Sequence, residues 1–451
     1  MRPSRRLFMQ QTFGTAALVS SARGWAGQPA SVSAMPSGAG RASSDEAFWR
    51  WIASQFLTNP AVAYMNSGTR GPSPRAVIEA QYQAMQAYDS DRLSYARYVD
   101  STATRATLRA RLANFVGCDA DELALTNNTT EGMAFGTLGL ALKPGDEIIY
   151  TNHDHASGAQ PVNLAAARYG ARAVMVDLSS PNFHPPQSAD TIVEAFARAI
   201  TPRTRLISFC HVNYTDGCCM PVQAICEMAR ARGILTLVDG AHPPGMMDLD
   251  IHALGCDMYA GACHKWLLGA MLTGFFFVRR EVLEQLWPLV YAGPVAGKSM
   301  YGEAAAPTEY NLQARTAARY EMRGSKNFAG AAGLDAALAF HEALTPAAVE
   351  ARVRYLAARA RQGLRSIPGV DVLVSDDPRL SCGLVAFKVG DVDVGAVNET
   401  LWTRHGIYIR DVSHPEIGWA VNRASLHIMV DAQQVDGLVE GVREMAREHG
   451  I

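Results

Sequence analysis

One lysine and one aspartate, each placed beside an apolar segment, point most directly to chemistry. The apolar run 234–239 ends in Asp239, and Lys265 stands just before a second apolar run, 273–278. Strands buried on both faces of a parallel sheet are apolar throughout, and ligands bind in the crevice beyond their carboxyl ends. A lysine can bond to the aldehyde of pyridoxal phosphate (PLP), while an acid keeps the pyridine nitrogen protonated so that the ring accepts electrons. The pattern therefore predicts a PLP site with Lys265 and Asp239 as catalytic residues.

Length and charge limit the classes of protein that this chain can represent. With 451 residues it is long enough for two domains, one of them a large α/β core. A net charge of -2 gives no reason to expect nucleic acid or an acidic membrane surface as a partner. The chain has no apolar stretch long enough for a membrane-spanning helix.

The first residues have the pattern of a targeting segment. Ser4-Arg-Arg-Leu-Phe-Met9 resembles a twin-arginine export signal, a short apolar segment follows at 13–19, and small residues around Ala26 suit cleavage. Residues 1–26 are thus predicted to be a signal peptide. Residues 27–44, rich in Gly, Ala, Ser and Pro, are predicted to be a flexible linker. We expect a periplasmic or otherwise exported protein that engages the twin-arginine translocase in a folded, cofactor-loaded state.

The hydrophobic pattern then divides the chain into two parts. From 122 to 239 short apolar strands alternate with helical segments, which favours a mostly parallel sheet covered by helices. After Lys265 the pattern changes to long amphipathic helices and a few separate strands. We therefore predict an N-terminal segment and large domain over 45–327, and a smaller α+β domain over 328–451.

Several motifs, taken together and in order, resemble those of a known family. They are Tyr64-Met-Asn-Ser-Gly68, Thr129-Thr-Glu-Gly132, His153-Asp-His155, His211-Val-Asn213, Asp239-Gly-Ala-His242, His264-Lys265, Gly324-Ser325 and Arg423-Ala-Ser425. Over roughly 60–445 the chain is similar to the class V branch of fold-type I PLP enzymes, which includes isopenicillin N epimerase-like proteins and cysteine desulfurases. The resemblance implies a large domain with a mostly parallel, seven-stranded type of sheet, a small C-terminal domain and a homodimer.

The resemblance also implies roles for individual residues. The cofactor-binding set is Thr129, Thr130, His155, Asn213, Asp239, His242, His264, Lys265 and Ser325, and the substrate-binding set is Arg423, Asn66 and Gly68. Thr129 and Thr130 would open a helix, whose free backbone N–H groups suit a phosphate. Arg423 would grip the carboxylate of a small amino-acid-like substrate with two parallel hydrogen bonds. Asn213 is assigned with Tyr214 as its one-residue alternative, Ser325 would act in the neighbouring subunit, and the role of Arg410 stays open.

A departure from the family pattern concerns sulfur chemistry. Desulfurases of this type carry a nucleophilic cysteine shortly after the position of Arg410, whereas 411–418 here contains none. Because persulfide chemistry needs a thiolate, the sequence predicts an enzyme that is not a cysteine desulfurase. It leaves epimerase or aminotransferase chemistry at an α-carbon, with a PLP-dependent lyase as the alternative.

Two other classes of function remain as rivals. His153, Asp154, His155, His242 and Asp239 offer imidazole and carboxylate groups, which suit a binuclear metal-dependent hydrolase. That interpretation leaves Lys265 and the Thr129-Thr130 pair unexplained, and we predict no metal. A cofactor-binding protein without turnover is the non-enzymatic alternative.

Overall fold

The computed structural model describes residues 35–90, 102–180, 183–186, 188–295, 298, 308–312, 314–415 and 418–451. The predicted signal peptide and residues 27–34 of the predicted linker lie outside these ranges. None of the helices within them is both long and apolar enough to cross a membrane.

A seven-stranded sheet forms the larger part of the molecule. Its strands are β2 Leu123–Thr126, β3 Glu147–Thr151, β4 Arg172–Val176, β5 Thr204–Cys210, β6 Leu235–Gly240, β7 Met258–Ala262 and β8 Gly274–Val278. They lie in the order β2-β8-β7-β6-β5-β3-β4, and only β8 runs antiparallel to its neighbours. The carboxyl ends of the other six strands therefore meet at one edge. The predicted fold class, a fold-type I α/β architecture, is confirmed.

Helices cover both faces of this sheet. They are α2 Arg75–Ser90, α3 Thr102–Val116, α4 Thr129–Leu138, α5 Ala156–Tyr169, α6 Ala189–Ala199, α7 Val222–Arg230 and α8 Ile251–Leu254, preceded by α1 Glu46–Ala53. Two separate apolar clusters result, one containing Phe196, Phe209 and Phe275, and one containing Phe135 and Phe276. Phe275 and Phe276, consecutive in β8, point to opposite faces because strand side chains alternate. The sheet is thus buried on both sides, as its apolar strands require.

The connection between β7 and β8 is tightly held. Cys263 N donates to Thr273 O at 3.1 Å, and Gly269 N donates to Cys263 O at 2.7 Å. Leu268 and Leu272 have left-handed backbone angles, with φ of 60° and 59°, which costs on the order of 1–3 kcal/mol for a non-glycine residue. Leu268 is fully buried in the core, so packing fixes the loop that carries Lys265.

The C-terminal part is an antiparallel sheet with long helices. Strands β9 Val370–Val372, β10 Leu384–Val389, β12 Arg410–His414 and β13 Trp419–Ser425 form it in the order β12-β13-β10-β9, while β1 Ala63–Tyr64 pairs with β11 Ile407–Tyr408. The helices are α9 Phe328–Leu344, α10 Pro346–Arg365, α11 Val394–His405 and α12 Ala432–Glu448. This is the smaller α+β unit that the sequence predicts.

Part of the predicted linker is bound to the small unit. Gly38 N donates to Ala343 O at 3.0 Å, and Arg352 Nη1 donates to Ser43 O at 2.8 Å. Arg352 also pairs with Glu46 in α1. Residues 38–43 are therefore fixed by contacts, unlike the free coil that their composition predicts, because backbone groups provide partners that composition alone does not reveal.

Candidate active site

A cavity of about 220 Å³ opens at the carboxyl edge of the large sheet. Both Asp239, at the end of β6, and Lys265, beyond the end of β7, line it. The two strands are neighbours, with Asp239 in register with Ala260. The segment before α2 also reaches this loop: Gly71 N donates to His264 O at 3.1 Å, and a Cβ on Gly71 would overlap the Lys265 carbonyl oxygen. The predicted catalytic residues thus share one enclosed site.

The electrostatics of the pair suit a reactive amine. Burial lowers the pKa of Lys265 to about 8; the Asp239 charge opposes this shift, and Arg423 and Arg410 add to it. Burial raises the pKa of Asp239, opposed by Lys265 and by a hydrogen bond from Ala241 N at 3.0 Å. A lysine with a pKa near the working pH can change protonation state during a reaction.

The amino end of α4 forms another wall of the cavity. Thr129 and Thr130 are its first residues, and Asn128 caps it by accepting a hydrogen bond from Glu131 N at 3.0 Å. The Thr129 hydroxyl is buried and has no hydrogen-bond partner among the described residues. An unpartnered hydroxyl beside free helical N–H groups fits a phosphate. His264 lines the same cavity, and its Nδ1 lies 3.3 Å from Thr273 O.

His155 lies at the amino end of α5, beyond β3. Its Nδ1 accepts from Ser157 N at 3.1 Å. Burial, reinforced by the charges of Lys265 and the cavity arginines, lowers the His155 pKa to about 4. The imidazole is therefore neutral at pH 7, as a ring that stacks on a protonated pyridine should be.

The loop beyond β5 shows which of the two alternative residues, Asn213 or Tyr214, faces the cofactor cavity. Cys210, Val212 and Tyr214 line the cavity, whereas Asn213 does not. The Asn213 side chain points into the protein and accepts from Cys210 Sγ at 3.0 Å. The structure thus brings Tyr214, not Asn213, to the site, because the chain turns here, with Gly217 N donating to Asn213 O at 2.9 Å.

His242 completes the wall beside Lys265. Its Nδ1 accepts a hydrogen bond from Trp266 Nε1 at 3.0 Å. Burial, with the charges of Lys265 and Arg423, lowers the His242 pKa well below its usual range. Because Nδ1 is an acceptor, the neutral ring carries its proton on Nε2 and can donate it to a cofactor oxygen.

The small sheet contributes positive charge to the cavity. Arg423 and Arg410 both line it, and Arg410 Nη1 donates to Thr69 Oγ1 at 2.9 Å. Thr69 in turn donates to Asn66 Oδ1 at 2.9 Å. Arg423 donates Nη1 to the Tyr214 carbonyl oxygen, and its Nε has no hydrogen-bond partner among the described residues. A buried guanidinium with an unused N–H suits a carboxylate ligand.

Of the predicted residues Gly68, Asn66 and Ser325, only Gly68 lines the cavity of this chain. Gly68 lines the cavity, and a Cβ there would lie 3.1 Å from Arg423 Nη2. Asn66 is buried behind Thr69 and does not line the cavity. Ser325 is likewise absent from the cavity wall of this chain, and its predicted role belongs to a neighbouring subunit.

The five residues of the rival metal site do not converge. His153 Nδ1 lies 2.7 Å from Thr215 Oγ1, and its Nε2 lies 3.2 Å from His184, away from the cavity. Asp154 accepts from Thr151 N at 2.7 Å and Cys210 N at 2.8 Å, so both of its oxygens hold strands together. Only His155, His242 and Asp239 of that set reach the cavity.

Some cavity residues were not predicted. Thr69, Asn128, Ser157, Cys210 and Ala241 all line it. Asn128 and Thr69 directly adjoin the predicted site residues Thr129 and Gly68, and Ser157 lies two residues after His155, so proximity in the sequence was the available signal. The contact between Thr69 and Arg410, 341 residues away along the chain, had no such signal.

The chain matches the family model described as aminotransferase class-V over residues 63–438. It belongs to that family. It is 30% identical over 411 residues to isopenicillin N epimerase of Streptomyces clavuligerus, covering 89% of this chain and 99% of the relative. It is 28% identical to a cysteine desulfurase of Klebsiella pneumoniae, covering 85% of this chain and 93% of the relative.

A solved structure of a C-DES variant, with glycine covalently linked to its PLP cofactor, is also similar. Its TM-score is 0.76 at 23% identity, covering 87% of this chain and 98% of that one. This likeness shows the shared fold. Family membership and the cavity residues agree on the cofactor, which is pyridoxal 5'-phosphate. The unpartnered Thr129 hydroxyl and the buried Lys265–Asp239 pair fit it.

One prediction is wrong: the exclusion of cysteine desulfurases. The similarity to the K. pneumoniae desulfurase extends over most of both chains, so the missing cysteine in 411–418 does not set this chain apart from those enzymes. The exclusion rested on the segment 411–418 alone, although Cys210 is among the residues that line the cavity. Burial raises the pKa of this thiol well above its usual range.

Proposed function

We propose that this enzyme is a PLP-dependent lyase that removes the α-proton of an amino acid and releases a substituent from its β-carbon. The observation that carries the proposal is the buried Lys265 amine, which shares one cavity with Asp239 and Arg423. These groups provide a base, an acid for the pyridine nitrogen and an anchor for a carboxylate.

Arg423 and Lys265 would have separate roles in this reaction. Arg423 holds the substrate carboxylate, which restricts rotation and directs the α-hydrogen towards Lys265. The Lys265 amine, with its pKa lowered to about 8, accepts that proton. The electron pair of the Cα–H bond then forms the Cα=Cβ double bond, and the β-substituent leaves with the electrons of its own bond. Water hydrolyses the released 2-aminoacrylate to pyruvate and ammonia.

The cofactor site would be held from several elements. Thr129 and Thr130 would hold the phosphate with backbone N–H groups, and His155 would cover one face of the ring. Asp239 would keep the pyridine nitrogen protonated, and His242 would donate to a ring oxygen. When bound, PLP supplies an electron sink for the negative charge that develops at the α-carbon.

Relatives support elimination as the outcome at the β-carbon. Cysteine desulfurases, by their name, take sulfur from cysteine, and one is 28% identical to this chain. Epimerisation is the second candidate, since isopenicillin N epimerase is 30% identical over nearly its full length. Both reactions begin with removal of the α-proton, so Lys265 serves the same purpose in each.

Product analysis separates the two outcomes. The holoenzyme is incubated with L-cysteine, L-cystine, S-ethyl-L-cysteine and 3-chloro-L-alanine, and pyruvate, ammonia and sulfide are measured. Recovered amino acid is analysed by chiral chromatography. Pyruvate formation that Lys265→Ala abolishes supports a lyase. Inversion of recovered amino acid without pyruvate contradicts elimination and supports an epimerase.

We also propose a homodimer. Large apolar side chains of the segment 271–295 are exposed in the single chain: Met271, Leu272, Trp287, Val290 and Val295. Exposed apolar groups in this number mark an interaction surface. Light scattering of the purified protein should give twice the mass of one chain, and a monomer at micromolar concentration would contradict the proposal.

A further inference from the structure

A tyrosine and a histidine join the two parts of the molecule at the cavity. Tyr214 stands in the loop beyond β5, and its hydroxyl is hydrogen bonded to Nε2 of His414, at the end of β12. Their rings meet edge to face, with centroids 5.5 Å apart. His414 is only half-buried, so this pair connects the cavity wall with a titratable group that reaches towards solvent.

Tyr214 contacts the residues that are proposed to hold the cofactor ring and the substrate carboxylate. Its ring packs edge to face on His155 at 4.8 Å, and its carbonyl oxygen accepts from Arg423. The residue therefore lies between the proposed cover of the cofactor ring and the proposed carboxylate anchor. Tyr214 itself lines the cavity.

Strand order places Tyr214 away from Lys265. The strands preceding Lys265, Asp239, Tyr214 and His155 are β7, β6, β5 and β3, which are consecutive in the sheet. Lys265 thus lies on one side of Asp239, while Tyr214 and His155 lie on the other. A substrate above Asp239 would have the lysine on one flank and the phenol on the other.

Elimination of a poor leaving group needs a second proton transfer, in addition to the one that Lys265 makes at the α-carbon. A poor leaving group, such as an alkyl thiolate, must be protonated as its bond to Cβ breaks, while Lys265 takes the α-proton. The other polar groups on that flank are already engaged: Cys210 Sγ donates to Asn213 at 3.0 Å, and Ser157 bonds to His155. Tyr214 differs from them in its partner, His414, a half-buried histidine that belongs to the small sheet.

We infer that Tyr214 is the proton donor to the leaving group, and that His414 restores its proton. The phenol O–H bond breaks as the proton passes to the departing atom, whose bonding pair to Cβ has moved onto it. The phenolate oxygen then takes a proton from His414 Nε2, and His414 takes one from solvent in return. The α-proton remains on Lys265, so HX leaves and no oxidant or reductant is required. Tyr214 is thereby a catalytic residue and His414 a positioning and proton-supplying residue.

The inference rests on the proposed lyase function. Its test compares two substrates with different leaving groups. S-Ethyl-L-cysteine releases a thiolate that needs a proton, whereas 3-chloro-L-alanine releases chloride, which does not. Tyr214→Phe should lower kcat for S-ethyl-L-cysteine about 100-fold, the lower range for general acid catalysis. Its kcat for 3-chloro-L-alanine should stay within about threefold of the parent value, by the same reasoning. His414→Gln should change the ratio of the two kcat values in the same direction.

Taking the ratio within one preparation cancels the fraction of folded protein, so a partly misfolded variant still gives an answer. The matched control is Tyr408→Phe, which removes a hydroxyl from a half-exposed ring stacked on Tyr64 and should leave the ratio unchanged. The hydrogen bond is checked separately in cofactor-free protein. There, ¹⁵N NMR of labelled histidine should show the His414 Nε2 signal shifting in Tyr214→Phe and not in Tyr408→Phe.

The possible outcomes are distinct. If Tyr214→Phe slows both substrates equally, the tyrosine is structural and the inference is wrong. If the parent enzyme releases pyruvate from 3-chloro-L-alanine and the ratio stays constant in both variants, the lyase function stands and the proton donor is another group. If the parent enzyme eliminates neither substrate, the lyase proposal fails, and the inference fails with it.

Discussion

Arg410 lies directly opposite Arg423 across the antiparallel pair of β12 and β13, and both side chains reach the same cavity. Burial, reinforced by the charge of Arg410, lowers the pKa of Arg423 to about 9. No ion pair with a carboxylate is found for either guanidinium among the described residues. Two like charges held together in a buried site are unfavourable unless an anion binds between or beside them. The arrangement therefore supports a carboxylate ligand.

The first prediction concerns this anchor. Arg423→Gln should raise KM for an amino-acid substrate roughly 10- to 100-fold, because a hydrogen bond to a charged group contributes about 1.5–3 kcal/mol. Steady-state kinetics with S-ethyl-L-cysteine measure it. Arg404→Gln, at an exposed arginine paired with Glu448, is the control and should change KM little. An unchanged KM in Arg423→Gln would show that the carboxylate binds elsewhere.

The second prediction follows from the buried Lys265. Its pKa falls from 10.5 to about 8 in the folded chain, so between these pH values the unfolded chain binds more protons. The free energy of unfolding of cofactor-free protein should therefore rise with pH over this window, by about 3 kcal/mol. Lys265→Met should lack this rise and be more stable than the parent protein at pH 7.

Urea unfolding of both apoproteins between pH 7 and about 10.5 provides the measurement, since this window follows from the two pKa values. Subtracting the Lys265→Met curve removes the contribution of the other titrating groups. A difference between the two proteins that does not vary with pH would mean that Lys265 is not buried as an amine of lowered pKa.

The third prediction concerns Asp239. Asp239→Asn keeps the shape of the side chain but removes the charge that holds the pyridine nitrogen protonated. PLP affinity should fall by about 10-fold or more, consistent with the loss of one charge-assisted hydrogen bond, and turnover should fall further. Equilibrium dialysis and unfolding curves separate binding from stability. Turnover equal to that of the parent enzyme would rule out the electron-sink role of this pair.

How far the sequence predicts the site depends on the range of the contacts involved. Asp239 and Lys265 could be predicted because local apolar runs mark the strands that carry them. The structural roles of Asp154 and His153 could not be predicted. Asp154, for example, accepts a hydrogen bond from Cys210 N, which is 56 residues away along the chain. Whether Asn213 or Tyr214 lines the cavity depends on the exact residue at which β5 ends. A shift of one residue exchanges the two.

The contact between the two sheets was outside the reach of sequence patterns. Nothing local connects Tyr214 with His414, which are 200 residues apart. The absence of a cysteine from 411–418 was the only basis for the incorrect exclusion of desulfurases. The structure shows that the same segment supplies His414 to the cavity tyrosine.

A fourth prediction concerns location. We propose that residues 1–26 direct export through the twin-arginine pathway, and that the mature chain begins near Gly27. Replacing Arg5 and Arg6 by Lys should retain the precursor inside the cell with its activity intact. N-terminal sequencing of fractionated native protein provides the answer. An intact Met1 in a cytoplasmic fraction would contradict export and leave the cofactor assignment untouched.

The most direct test of the account is to find the lysine that holds the cofactor. The holoenzyme is reduced with borohydride, which fixes PLP to its lysine, then digested and mapped by mass spectrometry. We predict that the pyridoxyl group is found on the peptide containing Lys265, and that Lys265→Ala yields no such adduct. Labelling of a different lysine, or none in protein that retains PLP absorbance, would contradict the central assignment.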